Sequence, residues 1–312
     1  MTNTIHRRAW LAGTAGLATS IAARADDVKP KSAAPFQYSL NTSTVRNDGH
    51  RRPIVDLVEI AAKAGYSGVE PWINELEDYV RAGGSLRDLK KRIADAGLVV
   101  PSAIGFAAWV ADDANVRRKG LEQAKRDMEL VAQIGGAKIA APPWGATDLE
   151  GLSLPAAAER YRALFDLGQK MGVTPEAEVW GFSKALKRLG DTWYVAAECG
   201  RSGGCVLPDV YHLYKGGSDF AGLKLLSPHA IGIFHVNDYP PNKGRDIIVD
   251  ADRVYPGDGV APLKDVFRTL IDIGYKGFLS VELFNRDYWK QDPNLVAKTA
   301  LDKLKTVVAK AI

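Results

Sequence analysis

A closed (β/α)8 barrel in a single domain is the fold class this sequence predicts, and three observations predict it. Short apolar runs alternate with longer amphipathic ones from residue 36 to the C-terminus, the pattern of parallel strands joined by crossover helices. The longer runs close on a glycine just before the next apolar run, at Gly65, Gly97, Gly172 and Gly274, as helix C-termini do. Eight such units fit in the 287 residues after residue 25, close to the roughly 250 residues of such a barrel. An open doubly wound sheet is the alternative, but no G-x-G-x-x-G follows the first strand.

The elements follow in order. FQYSLNTS (36–43) reads as the first strand and PIVDLVEIAAKAG (53–65) as its helix. YSGVEPW (66–72) is paired with SLRDLKKRIADAG (85–97), and LVVPSAIGF (98–106) with a long helix from about Asn115 to Ile134. AKIAAPP (137–143) precedes a helix across 155–171, and TPEAEVW (174–180) one across 183–198. CVLPDVYH (205–212), IGIFHVND (231–238) and GFLSVELF (277–284) are the last strands, with helices at 218–226, 262–273 and 293–311.

Residues 1–25 stand apart. Arg7-Arg8 precedes a mildly apolar stretch that ends in Ala23-Arg24-Ala25, the layout of a twin-arginine export signal with a small-x-small cleavage site. A short linker is expected over 26–35 and the barrel over 36–312, with the periplasm as destination and the twin-arginine (Tat) export machinery as a transient partner. Three of the 41 basic residues belong to this leader, which holds no acid. That leaves 38 against 37 acidic residues and a net charge of +1. Nothing in that balance supports nucleic-acid binding. No apolar run of about 20 residues exists to span a bilayer. Cys199 and Cys205 are the only cysteines, and a bridge and two free thiols both remain open.

In such barrels chemistry gathers where strands end at their C-termini. The fifth predicted strand ends with Glu178, the sixth with Asp209 and His212, the seventh with His235 and Asp238, and the eighth with Glu282. Glu178 to Asp209 is 31 residues and Asp209 to His235 is 26, about one βα unit each, while 47 residues to Glu282 imply a loop inserted near 239–261. Any one of these carboxylates alone reads more readily as a helix cap or ion-pair partner. Together, three carboxylates and an imidazole form a hard, oxygen-rich donor set that suits one Mn²⁺, Mg²⁺ or Co²⁺ ion, with Zn²⁺ also accommodated. Five tryptophans fall in rim segments, Trp72, Trp109, Trp144, Trp180 and Trp289, and only Trp193 after the leader falls in a helix. They read as a wall against a sugar ring or, each taken alone, as packing between barrel and helices.

SLNTSTVR, GYSGVEPW, LPDVYHLYKGGS, FHVNDYP, VYPGDGVAPL and GFLSVELFN resemble signature segments of the xylose isomerase-like TIM barrels, the sugar (phosphate) isomerase/epimerase superfamily. The resemblance covers nearly all of the chain after the leader. It implies that Glu178, Asp209, His235 and Glu282 bind one divalent metal, that Glu178 and Glu282 double as acid/base groups, and that His212 contacts a small sugar substrate. Proton transfer through an enediolate would then give epimerisation or isomerisation. A lyase acting on a 3-keto-glycoside with the same site is the alternative, and a barrel that binds sugar without turnover is a third reading. Asp238 is expected to orient His235 or a substrate hydroxyl. Where ketose 3-epimerases carry a further Glu, this chain has Lys184, either a contact to a modified sugar or a surface residue opening a helix. HVND also resembles tri-zinc apurinic endonucleases. Their additional histidines are missing, and Asp252-Arg253-Val254 stands where Asp-Arg-His is needed. A homo-oligomer is compatible with the sequence.

Overall fold

The computed structural model describes residues 35–48 and 50–312. The leader expected at 1–25 and most of the linker therefore lie outside the described residues. Within them the alternation becomes β1 (Gln37–Asn41), α1 (Ile54–Ala64), β2 (Gly68–Glu70), α2 (Ile73–Arg81), α3 (Leu86–Asp95), α4 (Ala114–Gln133) and β3 (Lys138–Ala141). The chain continues through α5 (Leu154–Met171), β4 (Thr174–Glu178), α6 (Leu189–Glu198), β5 (Val206–Leu207) and α7 (Val210–Gly216). It ends with β6 (Phe234–Val236), α8 (Leu263–Asp272), β7 (Phe278–Val281), α9 (Arg286–Trp289) and α10 (Pro293–Ala309). No described helix is long and apolar enough to cross a membrane.

Every strand pairing is parallel, in the orders β2-β1-β7-β6 and β3-β4-β5. Two seams close these arcs into one barrel. Residues 98–104 form the eighth stave: parallel bridges Gly68↔Val99 and Trp72↔Ile104 join it to β2, and Ala140 N donates to Ala103 O at 2.8 Å. On the other side Val206↔Ile231 and Asp209↔His235 join β5 to β6. The eighth stave lacks a regular ladder because Pro101 has no N–H to give one. Pro208 likewise cuts β5 to two residues, so the strand expected over 205–212 stops early and α7 begins at once.

Gly65, Gly97, Gly172 and Gly274 all adopt left-handed backbone, with φ between 69° and 91°, as expected for residues that end helices. Two expected helices differ. The one placed over 183–198 starts only at Leu189, because Lys184 N donates to Thr147 O and Trp180 N to Leu186 O, folding 181–188 across the barrel mouth. The one placed over 218–226 is a 3-10 turn, Phe220–Leu225, capped by Asp219 and followed by Pro228. Inside the barrel, Ile104, Ala140, Leu207 and Ile233 form an apolar layer against Trp72 and Phe106. Cys199 and Cys205 are buried and unbridged.

Candidate metal centre and substrate cavity

Asp209, His235 and Glu282 offer one donor atom each within 4.8 Å of one another, and all three are buried. The local sequence explains each placement. Asp209 follows Pro208 at the start of α7, and its Oδ1 accepts from His212 N at 2.8 Å as a helix cap, which leaves Oδ2 facing the centre. The parallel register His235↔Ser280 of β6 and β7 sets the imidazole beside the strand that ends in Glu282. His235 Nδ1 lies 3.3 Å from Glu282 Oε2 and 3.9 Å from Asp209 Oδ2, yet it is buried without a well-formed hydrogen bond. An orphaned buried ring nitrogen between two carboxylates fits the donor set of a divalent cation.

The other face of that imidazole is held firmly. His235 Nε2 lies 3.0 Å from both oxygens of Glu70, at the end of β2. Glu70 is itself gripped by Asn41 Nδ2 at 2.9 Å and Ser280 Oγ at 2.7 Å, and the same Asn41 amide reaches Glu282 Oε1 at 3.2 Å. Burial disfavours the charged imidazole, but Glu70 and Glu282 outweigh it and raise its pKa well above the ordinary histidine value.

Arg253, from the loop after β6, completes the charge balance. Its Nη1 donates to Glu282 Oε2 at 2.8 Å and Asp209 Oδ2 at 3.2 Å, and its Nη2 pairs with Asp250 at 2.5 Å. Although burial pushes the Glu282 carboxyl up, His235 and Arg253 prevail and hold it well below the carboxylate range. Glu178 goes the other way: burial, then the Glu282 charge, raise its pKa well above normal. Two carboxyl groups lining one cavity are thus driven apart in acidity. That cavity, of about 150 Å³, is walled by Trp72, Phe106, Trp180, Phe182 and Phe284 and floored by Glu178, His212, Arg253 and Glu282. His212 Nδ1 lies 3.2 Å from the Gly181 N–H and its Nε2 3.3 Å from Arg253 Nη2, so a donor faces each ring nitrogen. Burial and then Arg253 keep this ring neutral.

Of the residues expected at the site, Glu178, Asp209, His212, His235, Glu282, Trp72 and Trp180 converge there, with Glu178 on the cavity but outside the three-atom cluster. Trp144 sits at the outer edge, 46% exposed and 6.1 Å from the Trp180 ring. Others lie elsewhere. Trp109 is fully buried, its Nε1 bonded to Pro142 O and its ring against Tyr161, so it packs barrel to helix. Lys184 is exposed and pairs with Glu150 at 3.0 Å, outside the cavity lining. Asp238 does not touch His235: its oxygens accept from Tyr239 N, Gly257 N and Ala261 N and so tie down the loop that follows Arg253. Glu70 holds the imidazole instead. Glu70, Arg253 and the three phenylalanines went unread in the sequence. Glu70 ends a predicted strand in GVEPW, the signal that flagged the other carboxylates.

Residues 58–307 match the xylose isomerase-like TIM barrel family. The chain belongs to that family. The inosose isomerase of Bacillus velezensis is 26% identical over 262 residues, spanning 81% of this chain and 91% of the relative. The 3-dehydroshikimate dehydratase of Pseudomonas aeruginosa is 26% identical over 236 residues, 73% of this chain and 36% of that longer protein. A crystal structure of IolI protein with a bound zinc atom superposes at a TM-score of 0.81, covering 89% of this chain and 99% of that one at 22% identity. Relatives across this family stretch are enzymes, and this chain is an enzyme.

Proposed function

We propose that this protein is a divalent-metal-dependent isomerase or epimerase of a sugar or related polyol ketone, with Glu178 and Glu282 moving the proton. The carrying observation is the buried, unpartnered His235 Nδ1 between Asp209 and Glu282, with Glu178 on the same cavity. Asp209, His235 and Glu282, joined by Glu178, would hold the ion. When bound there, a divalent cation supplies electrophilic polarisation of a carbonyl and its neighbouring hydroxyl, which acidifies the C–H between them.

The chain's own groups do the rest. Glu282 accepts the proton from that carbon, and Glu178, on the same cavity, returns one taken up from solvent. Delivery to the same carbon from the other face inverts it; delivery to the adjacent carbon exchanges aldose and ketose. His212, on the cavity floor, contacts a substrate oxygen, and Trp72, Trp180 and Phe284 exclude water around the ring. A dehydratase is the second reading. The 26% identity to a dehydratase supports it, since a proton delivered by Glu178 to a departing hydroxyl instead of to carbon would complete an elimination. Export by the Arg7-Arg8 leader is part of the same proposal.

Hydrogen–deuterium exchange into inosose and 3-dehydroshikimate, followed by NMR in D₂O with Mn²⁺-loaded protein, tests this reading. Exchange above background that falls by about 10²-fold or more in Glu178→Gln and in Glu282→Gln is expected, the usual size of a general acid or base contribution. Exchange that both variants leave unchanged would remove the carboxylates from the mechanism.

A further inference from the structure

Arg46 directly follows the 3-10 turn Thr42–Val45 at the C-terminal end of β1, on the rim that carries the site. Its guanidinium lies 4.4 Å over the Trp72 ring, with Phe284 at 5.7 Å and Trp289 at 5.9 Å. Trp72 and Phe284 are also walls of the substrate cavity, so Arg46, which is not itself part of the lining, borders the cavity across these two rings.

What distinguishes Arg46 is what it lacks. Among the described residues it forms no ion pair and donates no hydrogen bond, and its Nε is buried without a partner. The neighbouring cations are engaged: Arg51 with Asp78, Arg52 with Val45 O, and Arg253 with three carboxylates. Glu75 and Glu282 act on Arg46 only through space: neither pairs with it directly, and Glu75, raised by burial to about 7, accepts instead from Thr42 Oγ1 and Trp72 N. A half-buried guanidinium with no direct hydrogen-bonded anion is costly, and three aromatic rings within 6 Å confine its donor fork.

We infer that Arg46 is the anion-binding end of the substrate cavity and that the substrate is a carboxylate-bearing sugar or cyclic hydroxy-ketone. This rests on the metal-enzyme reading above and narrows its substrate class. A ring seated on Trp72 and Phe284, with vicinal oxygens at the donor cluster, carries its far substituent toward Arg46. One planar fork matches one carboxylate in two-point contact, whereas Arg253 is already spread over Asp209, Glu282 and Asp250.

The test uses Mn²⁺-loaded protein, as wild type, Arg46→Met and Arg46→Lys. Ligand-observed NMR titrations compare D-glucuronate and D-galacturonate with D-glucose, D-galactose and D-glucose 6-phosphate. The uronates should bind the wild type about tenfold or more tightly than the neutral sugars, the scale of one charge-assisted contact. Arg46→Met should erase that difference with metal content unchanged, and Arg46→Lys should keep part of it. Equal binding of uronates and neutral sugars, a preference untouched by Arg46→Met, or tighter binding of the phosphate would each overturn the inference. Wild-type protein that takes up no metal would overturn the metal-enzyme reading as well, so the two failures are separable.

Discussion

Asp209 divides its carboxylate between two tasks, and this is why the sequence could not separate them. Oδ1 caps α7 while Oδ2 faces Arg253, Asn237 and the centre. Asp209→Asn keeps a capping oxygen and removes the charge, so it should fold with a Tm near wild type and lose metal affinity. Asp209→Ala should also lose the cap, at about 1 kcal/mol, and leave Arg253 with one carboxylate fewer. Thermal melts beside metal titrations separate the two variants. Glu70 is the positioning residue for His235, and Glu70→Gln should weaken metal binding about 10- to 100-fold while the cavity stays intact. A chelator-competition titration reads that change. The pH dependence has a definite sign. His235 and Glu178 hold their protons to higher pH than ordinary groups of their kind, and both must release them to serve as ligands. Metal affinity should therefore rise with pH, with proton release visible as buffer-dependent heat in calorimetry. Heat that is independent of the buffer would contradict this protonation scheme.

Among the elements, prolines decided where sequence and structure part. Pro101 and Pro208 cost the barrel regular ladders in segments whose apolar content read plainly as strands. The glycine stops were legible because a left-handed C-terminal residue is a local requirement. The start of α6 was not, because long-range bonds from 147 and 180 hold 181–188 out of the helix. The loop after β6 was seen as an insertion, but its purpose was hidden. It brings Arg253 into the centre, and Asp238 fastens its far side near Gly257 and Ala261. A Cβ on Gly259 would lie 2.2 Å from Tyr239 O and 2.3 Å from Asp238 Oδ1, so Gly259→Ala should displace this anchor. The expected result is weakened metal and substrate binding with little change in far-UV circular dichroism. In α4, burial raises Asp127 to about 6, with only Gln123 as side-chain donor. A carboxyl raised in the folded state favours folding below its ordinary range, and that contribution is lost as pH climbs through 6. Asp127→Asn should thus gain Tm relative to wild type between pH 5 and 7, and parallel melting curves would count against the assignment.

At the scale of the whole molecule, the barrel collects residues from positions 70 to 282 onto one rim, and that closure is the reason a site could be read at all. Unit spacing marked Glu178, Asp209 and His235 because each strand contributes its last residues to a common ring. It could not mark which aromatics face inward, since Trp109 and Trp180 both lie near the rim in sequence and differ only in side-chain direction. The buried charges make the molecule respond to metal as a unit. Binding to the folded state alone should raise stability by about 2.7 kcal/mol at a hundredfold excess over Kd, seen as a Tm that climbs with metal concentration. The most direct test of the account is metal stoichiometry by ICP-MS after equilibrium dialysis, wild type beside His235→Ala. One divalent ion per wild-type chain and a near-complete loss in the variant is the result the account predicts. No ion bound by the wild type, or equal binding by both proteins, would contradict it.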